Sequence, residues 1–275
     1  MTTSHPIVPF RPPSDREMRQ MIKALDYWRA VTRPYFQGDE NIPSTRPLLF
    51  VGNHTLFGML DAPLLFAHLY QEKNIFLRSL GDHVHFRVPL WRDWLTKVGA
   101  VDGTRENCAT LMQAGECILV FPGGAREVSK RKGESYRLVW GNRMGFARMA
   151  IEHGCTIVPF AAVGVEDAFD IVKDADDFFK TPFGQLARAL GLRDDMVPPL
   201  VRLSLRGGMP KPERFYFGFG TPIAPHAHGA EEQLRDRTKA AVESLIADLQ
   251  RVQNSDPERH VLSLGRQSSH NGQKL

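Results

Sequence analysis

Apolar positions along the chain fall into two rhythms. Over residues 14–37, Met18, Met21, Ile22, Leu25, Trp28 and Thr32 recur at spacings of three and four, which marks one face of a helix. Ser14, three residues ahead of Glu17, supplies a capping box at its start. From Pro47 onward, short apolar runs at 48–51, 74–80, 117–121 and 156–163 read as strands. Between them, 61–70, 89–98, 105–114 and 142–153 read as helices, with Gly154 placed to stop the last. A late strand at 214–220 precedes a helix at 231–252 striped by Leu234, Val242, Leu245, Ile246 and Leu249. Apolar strands alternating with helices predict an α/β fold, a mostly parallel central sheet flanked by helices. In such sheets the loops leaving the strands carry the chemistry.

The pattern divides the chain into an N-terminal helical arm (1–44), a main domain (45–252) and a polar, disordered tail (253–275). The arm's helix is amphipathic. It carries Arg16, Arg19, Lys23, Arg29 and Arg33, with Tyr27, Trp28, Tyr35 and Phe36 near its end. It fits a helix docked on the core, or one lying in a lipid interface with its cations on phosphates. Residues 166–199 break the alternation. They are rich in Asp and Phe, with Phe178, Phe179 and Phe183 together, and read as a surface excursion or as a lid over an apolar tunnel.

Composition narrows the classes. A chain of 275 residues that is 42% hydrophobic can bury one sizeable core, and a charged fraction of 24% argues against wholesale disorder. A net charge of +4 favours anionic partners without choosing among them. Cys108, Cys117 and Cys155 are scattered and lack C-x-x-C spacing, as expected of reduced core thiols in a cytoplasmic setting. The opening residues hold Pro6, Pro9, Pro12 and Pro13 and no apolar segment of a signal peptide. The most apolar stretch, 48–70, is broken by Asn53, His54, Asp61 and His68, so no spanning helix is expected. A lipid-handling role would then require peripheral contact with a membrane surface.

Two constellations can carry chemistry. Gly52-Asn53-His54 follows an apolar strand, with Asp61 seven residues beyond the histidine. An imidazole at a strand exit suits a general base and needs a carboxylate to orient it. On a continuous helix the two would lie about 10 Å apart along the axis. A loop curling at Gly58, with a helix starting near Asp61 and Pro63 in its first turn, brings them together. The second constellation is Phe121-Pro122-Gly123-Gly124-Ala125-Arg126-Glu127. Adjacent glycines let backbone N–H groups approach an oxyanion or phosphate, and Arg126 adds a fork-shaped cation. Beyond it, residues 126–148 hold seven basic side chains against two acidic ones. That run is a solvated face, or a grip for a phosphate-bearing donor through Lys130, Arg131 and Lys132. No G-x-S-x-G elbow or Walker A sequence is present. His83/His85 and His226/His228 lack neighbouring ligands at metal-site spacing. The basic run lacks the interleaved aromatics of a nucleic-acid binder.

Taken in order, these segments resemble the glycerolipid acyltransferase (lysophospholipid acyltransferase) superfamily. Asn53-His54 with Asp61 resembles its first motif, a His and an Asp usually separated by four residues. Phe121 to Glu127 resembles FPEGTRS, and Ile157-Val158-Pro159 the apolar strand ending in proline. Val88-Pro89 and Gly99-Ala100-Val101 resemble the linking segment. Pro122 to Glu127, Tyr136, Trp140-Gly141 and Gly145-Phe146-Ala147 are similar to the mono- and diacylglycerol acyltransferase-like branch that includes plant phytyl ester synthases. Two departures stand out. The His–Asp gap is six residues, so Asp82, Glu127 or Glu166 are rival partners for His54. Gly123 replaces the motif glutamate.

The resemblance implies a glycerol-3-phosphate acyltransferase-like fold and an O-acyltransferase. An acyl group would pass from acyl-CoA or acyl carrier protein to a lipid hydroxyl, a neutral acceptor such as mono- or diacylglycerol or a long-chain alcohol. His54 would be the base and Asp61 its partner. Gly123, Gly124, Arg126 and Glu127 would serve the oxyanion and acceptor, with no metal, no cofactor and no nucleic acid. Rival readings are a non-catalytic lipid-transfer protein, an esterase, and a lysophospholipid acyltransferase with a phosphorylated acceptor.

Overall fold

The computed structural model describes residues 12–202, 213–225 and 230–260. The arm forms α1 (Asp15–Ala24) and α2 (Asp26–Thr32), and it ends in a strand, β1 (Tyr35–Gln37). Then follow β2 (Leu48–Gly52), α3 (Ala62–Lys73), β3 (Leu77–Gly81), the single turn α4 (His83–Phe86), α5 (Pro89–Lys97), β4 (Val101–Asp102), α6 (Arg105–Gln113) and β5 (Cys117–Val120). After β5 come the single turn α7 (Ala125–Val128), α8 (Gly145–Glu152) and β6 (Thr156–Val163). The excursion contains β7 (Asp170–Lys173), α9 (Ala175–Phe179) and α10 (Pro182–Ala189), and it closes on β8 (Leu200–Arg202). β9 (Tyr216–Phe219) and α11 (Glu231–Ser255) complete the order.

The central sheet runs β1-β9-β6-β2-β5-β3-β4. It is parallel except that β9, with β1 parallel beside it, runs against β6. Strand β2 shows why it forms. All five of its residues are buried, and alternate side chains feed opposite faces. Leu49 and Val51 join a cluster with α6, α8 and α11 through Leu111, Met149 and Ile246. Leu48 and Phe50 join the other cluster, with Leu64 and Leu69 of α3. Both faces are covered, as a parallel sheet requires.

Two sequence expectations need correction at the ends. The arm is not one helix. Arg33 adopts a left-handed conformation that stops α2, and β1 then joins the sheet edge. The Ser14–Glu17 capping box is present, and Met18 and Ile22 pack on Ala67 of α3. The polar tail does not begin at 253. Buried Gln253 bonds Glu213 at 2.9 Å, and Asp256 accepts from Arg214 and the Tyr216 hydroxyl at 2.9 and 2.7 Å. Residues 261–275 lie outside the described residues, as does His226/His228. No helix among the described residues is long and apolar enough to cross a membrane.

Candidate active site

Parallel pairing of β2 with β5 sets Val51 opposite Val120. The segments Gly52-Asn53-His54 and Phe121-Pro122-Gly123 therefore leave the sheet side by side. Asn53 prolongs the ladder with its side chain: its amide donates to Ala162 O and accepts from Ala162 N–H, both at 2.9 Å. His54 is thereby held at the strand exit. Its backbone N–H donates to Glu127 Oε2 at 2.8 Å.

The imidazole is held by packing. It stacks on the Phe121 ring with centroids 3.9 Å apart and planes 9° from parallel. Its other boundary is Gly58, where an added Cβ would lie 2.4 Å from Cε1 and 2.9 Å from Nε2. Gly58 sits at φ +66° and Phe57 at φ 63°, and this left-handed pair curls the loop back over the ring. The Phe57 N–H donates to Val128 O at 3.3 Å, tying the loop to α7. Trp28 of the arm donates to Leu60 O at 2.7 Å near the loop's far end.

This half-buried ring is lowered from 6.5 to about 3 in pKa, first by desolvation, then by the charges of Lys130 and His85. It is neutral at ordinary pH, the form a base requires.

Asp61 sits at the N-terminus of α3, with proline in the first turn, as the curled-loop geometry requires. Its Oδ1 accepts the Thr55 hydroxyl at 3.0 Å. No hydrogen bond joins it to the His54 ring among the described contacts, and burial raises its pKa. None of the rival carboxylates bonds that ring either. Asp82 caps α4 by accepting from the Val84 N–H at 3.0 Å. Glu127 takes the His54 backbone and, through Oε1, the Val139 N–H at 2.7 Å. Glu166 pairs with Lys130.

The double-glycine turn is shaped around Glu127. A Cβ on Gly123 would meet Glu127 Cδ at 2.1 Å and Oε1 at 2.4 Å. A carboxylate thus lies against position 123 even though the motif glutamate is missing there; it comes from four residues further on. Gly124 has φ 51° and ψ −145°, outside the usual range of a side-chain-bearing residue. Its N–H donates to Phe121 O at 3.0 Å, which corrects the expectation that it serves an oxyanion. The Gly123 N–H has no such partner among the described contacts. Sequence reasoning missed Arg143, which donates to Pro122 O at 2.9 Å and Gly123 O at 2.5 Å and pins the turn. It also missed the Phe121 platform, although that residue stands inside the motif.

The donor-phosphate expectation is corrected for Lys130. Lys130 is 1% exposed and paired with Glu166, so it cannot reach a solvated phosphate. Arg131 binds Asp176 at 3.2 Å and Asp194 at 3.1 Å, and Lys132 binds Asp177 at 2.5 Å. Arg126 donates to Glu134 at 2.6 Å. The basic run therefore staples the 166–199 excursion to the site, and Glu166 also accepts the Tyr136 N–H. Between excursion and run lies a cavity of about 250 Å³ lined by Leu56, Phe169 and Ile171, with Lys130 and Glu166 in its wall.

The acyltransferase family profile matches residues 33–163. Phytyl ester synthase 1, chloroplastic, of Arabidopsis thaliana is 33% identical over 92% of this chain and 41% of its own length. Phytyl ester synthase 2 of the same plant is 34% identical over 81% of this chain and 35% of its own length. The Bos taurus "DGAT1/2-independent enzyme synthesizing storage lipids" is 29% identical over 78% of this chain and 59% of its own length. The chain thus spans only about two-fifths of the plant relatives. Among solved structures, the 1-acyl-sn-glycerophosphate acyltransferase PlsC of Thermotoga maritima is similar at a TM-score of 0.50. That match has 17% identity and covers 86% of this chain and 84% of PlsC, a likeness of fold.

Proposed function

The chain belongs to the glycerolipid acyltransferase superfamily, and on that premise we propose that it moves a fatty acyl group from a thioester donor to a lipid hydroxyl, with His54 as general base. The observation that carries the reading is the His54 imidazole clamped between Phe121 and Gly58, with the His54 backbone tied through Glu127 to the turn after β5.

In this mechanism a ring nitrogen of His54 takes the acceptor's hydroxyl proton as the oxygen attacks the thioester carbonyl. The new C–O bond forms, the C–S bond breaks, and the imidazolium returns its proton to the leaving thiolate. Desolvation makes the resting ring a weak base, and negative charge developing on the oxyanion raises its proton affinity as the reaction advances. The Gly123 N–H faces that oxyanion. Asp61, in the same loop, balances the imidazolium charge. The thioester is already activated, so no covalent enzyme intermediate is required.

The acceptor is a neutral lipid alcohol, and the donor is acyl-CoA or acyl carrier protein, with no further cofactor. The names of the plant and animal relatives support a neutral acceptor. The protein meets its acceptor at a membrane surface as a peripheral protein.

The test is to incubate purified protein with labelled acyl-CoA or acyl carrier protein and a panel of monoacylglycerol, diacylglycerol, long-chain alcohol and lysophosphatidate. Products are identified by mass spectrometry. A neutral ester supports the reading. Free fatty acid alone points to an esterase, and no turnover at all contradicts acyl transfer.

A further inference from the structure

Among the described residues, two helices keep apolar side chains exposed and without a partner. Helix α5 is built from Leu90, Trp91, Trp94 and Leu95, yet none of its residues is buried. Leu90 is 86% exposed, and Val84, Val88 and Trp94 are exposed around it. Trp91 and Trp94 stack on each other with centroids 4.8 Å apart. Phe86 is the buried anchor of this segment, packed where a Cβ on Gly81 would meet it at 2.9 Å. Helix α10 repeats the pattern. Phe183, Leu186 and Leu190 are exposed at spacings of three and four, so they form one stripe.

Just beyond α10 the chain rests on the segment that follows α7, where the Ser129 hydroxyl donates to Asp195 O at 3.0 Å. Beside the His54 ring the site's own loop reaches the surface. Met59, exposed, follows the glycine that packs on that ring.

We propose that the exposed apolar faces of α4–α5 and of α10 seat the protein on a lipid bilayer. The occupant is argued from chemistry. Indole rings and aliphatic side chains fringed by cations suit the boundary between acyl chains and headgroups. The cations are present: Arg87 and Lys97 are exposed and have no acidic partner among the described residues, and the whole chain is net basic. The N-terminal arm is the competing candidate, but it spends Met18, Ile22 and Trp28 on the protein's own core. This inference rests on the proposed lipid substrate and adds the surface by which that substrate is reached.

Co-sedimentation of purified protein with phosphatidylcholine vesicles, with and without phosphatidylglycerol, tests it. Wild type binds both and binds the anionic vesicles more tightly. The pairs Leu90→Ser/Trp94→Ser and Phe183→Ser/Leu190→Ser each weaken vesicle binding by about tenfold or more, with unchanged circular dichroism. Tyr27→Ser, on exposed α2, leaves binding intact. Undiminished binding in both pairs, or loss confined to Tyr27→Ser, overturns the assignment. So does a concentration-dependent dimer that both pairs dissolve while wild type ignores vesicles. The readout needs no turnover, so it stands even if acyl transfer fails; short-chain soluble substrates should react equally with wild type and variants.

Discussion

The buried carboxylate of Glu127 accepts the backbone N–H of His54 at 2.8 Å, and its second oxygen accepts the Val139 N–H at 2.7 Å. One side chain therefore locks the exit of β2 to the segment beyond the double-glycine turn. Glu127→Gln keeps the shape but turns an NH2 toward one of the two N–H donors. An unsatisfied buried group of this kind costs about 1–3 kcal/mol. Chemical denaturation should show that loss, and turnover should fall with it; wild-type values for both would contradict the role.

Gly123 and Glu127 share one space. Gly123→Ala places a methyl 2.1 Å from the Glu127 carboxyl carbon, whose oxygens are pinned by two N–H groups. We expect it to displace the carboxylate and lower activity. The exchange Gly123→Glu with Glu127→Ser, which restores the motif order, should recover activity over either single change. A double variant no better than the worse single one would show that the two positions are not interchangeable carboxylate sources.

The Lys130–Glu166 pair is buried on both sides. Glu166→Gln leaves an uncompensated ammonium in the interior, and breaking such pairs costs about 3–5 kcal/mol. Urea unfolding should show a loss of that order, partly recovered in Lys130→Met/Glu166→Leu. Equal stability of wild type and Glu166→Gln would mean that the lysine reaches water.

Much of the fold was legible because apolar strands and amphipathic helices announce themselves. The run at 156–163 became β6 with the same bounds, and the run at 48–51 became β2, which extends one residue further to Gly52. The half-exposed β1, β7 and β8 carry no such signal, since neighbours supply what their short runs lack. At the site, the sequence placed His54 and the double-glycine turn on adjacent loops and anticipated the curl at Gly58. It could not show that Glu127 reaches back 73 residues to the His54 backbone. Nor could it show that Lys130, within a run of cations, is buried. A lysine in such a run looks solvated until its carboxylate, 36 residues away, is known.

Desolvation of His54 has a pH signature. The unfolded chain takes up a proton on this ring as pH falls through 6.5, whereas the folded chain resists until about 3. The stability that depends on a neutral ring is therefore full above 6.5 and is lost as pH falls toward 3. At about 1.4 kcal/mol per unit, that amounts to a few kcal/mol. Denaturation across this window should show a steeper acid loss in wild type than in His54→Gln. The acid limb of kcat/KM should also lie well below 6.5; a limb at 6.5 would mean that the ring is solvated.

Asp61 separates charge from architecture. Asp61→Asn retains an oxygen for the Thr55 hydroxyl, so the loop should survive and circular dichroism should not change. Without the carboxylate charge, turnover should fall by about tenfold or more. Undiminished turnover would confine Asp61 to holding Thr55.

Proton removal from the acceptor falls to the imidazole at residue 54 in the proposed mechanism. The most direct measurement is the steady-state rate of lipid-ester formation from acyl-CoA by purified wild type and His54→Ala, with folding matched by circular dichroism. Loss of the base should lower kcat by about 10²–10⁴-fold. A folded His54→Ala protein that forms the ester at the wild-type rate would contradict it.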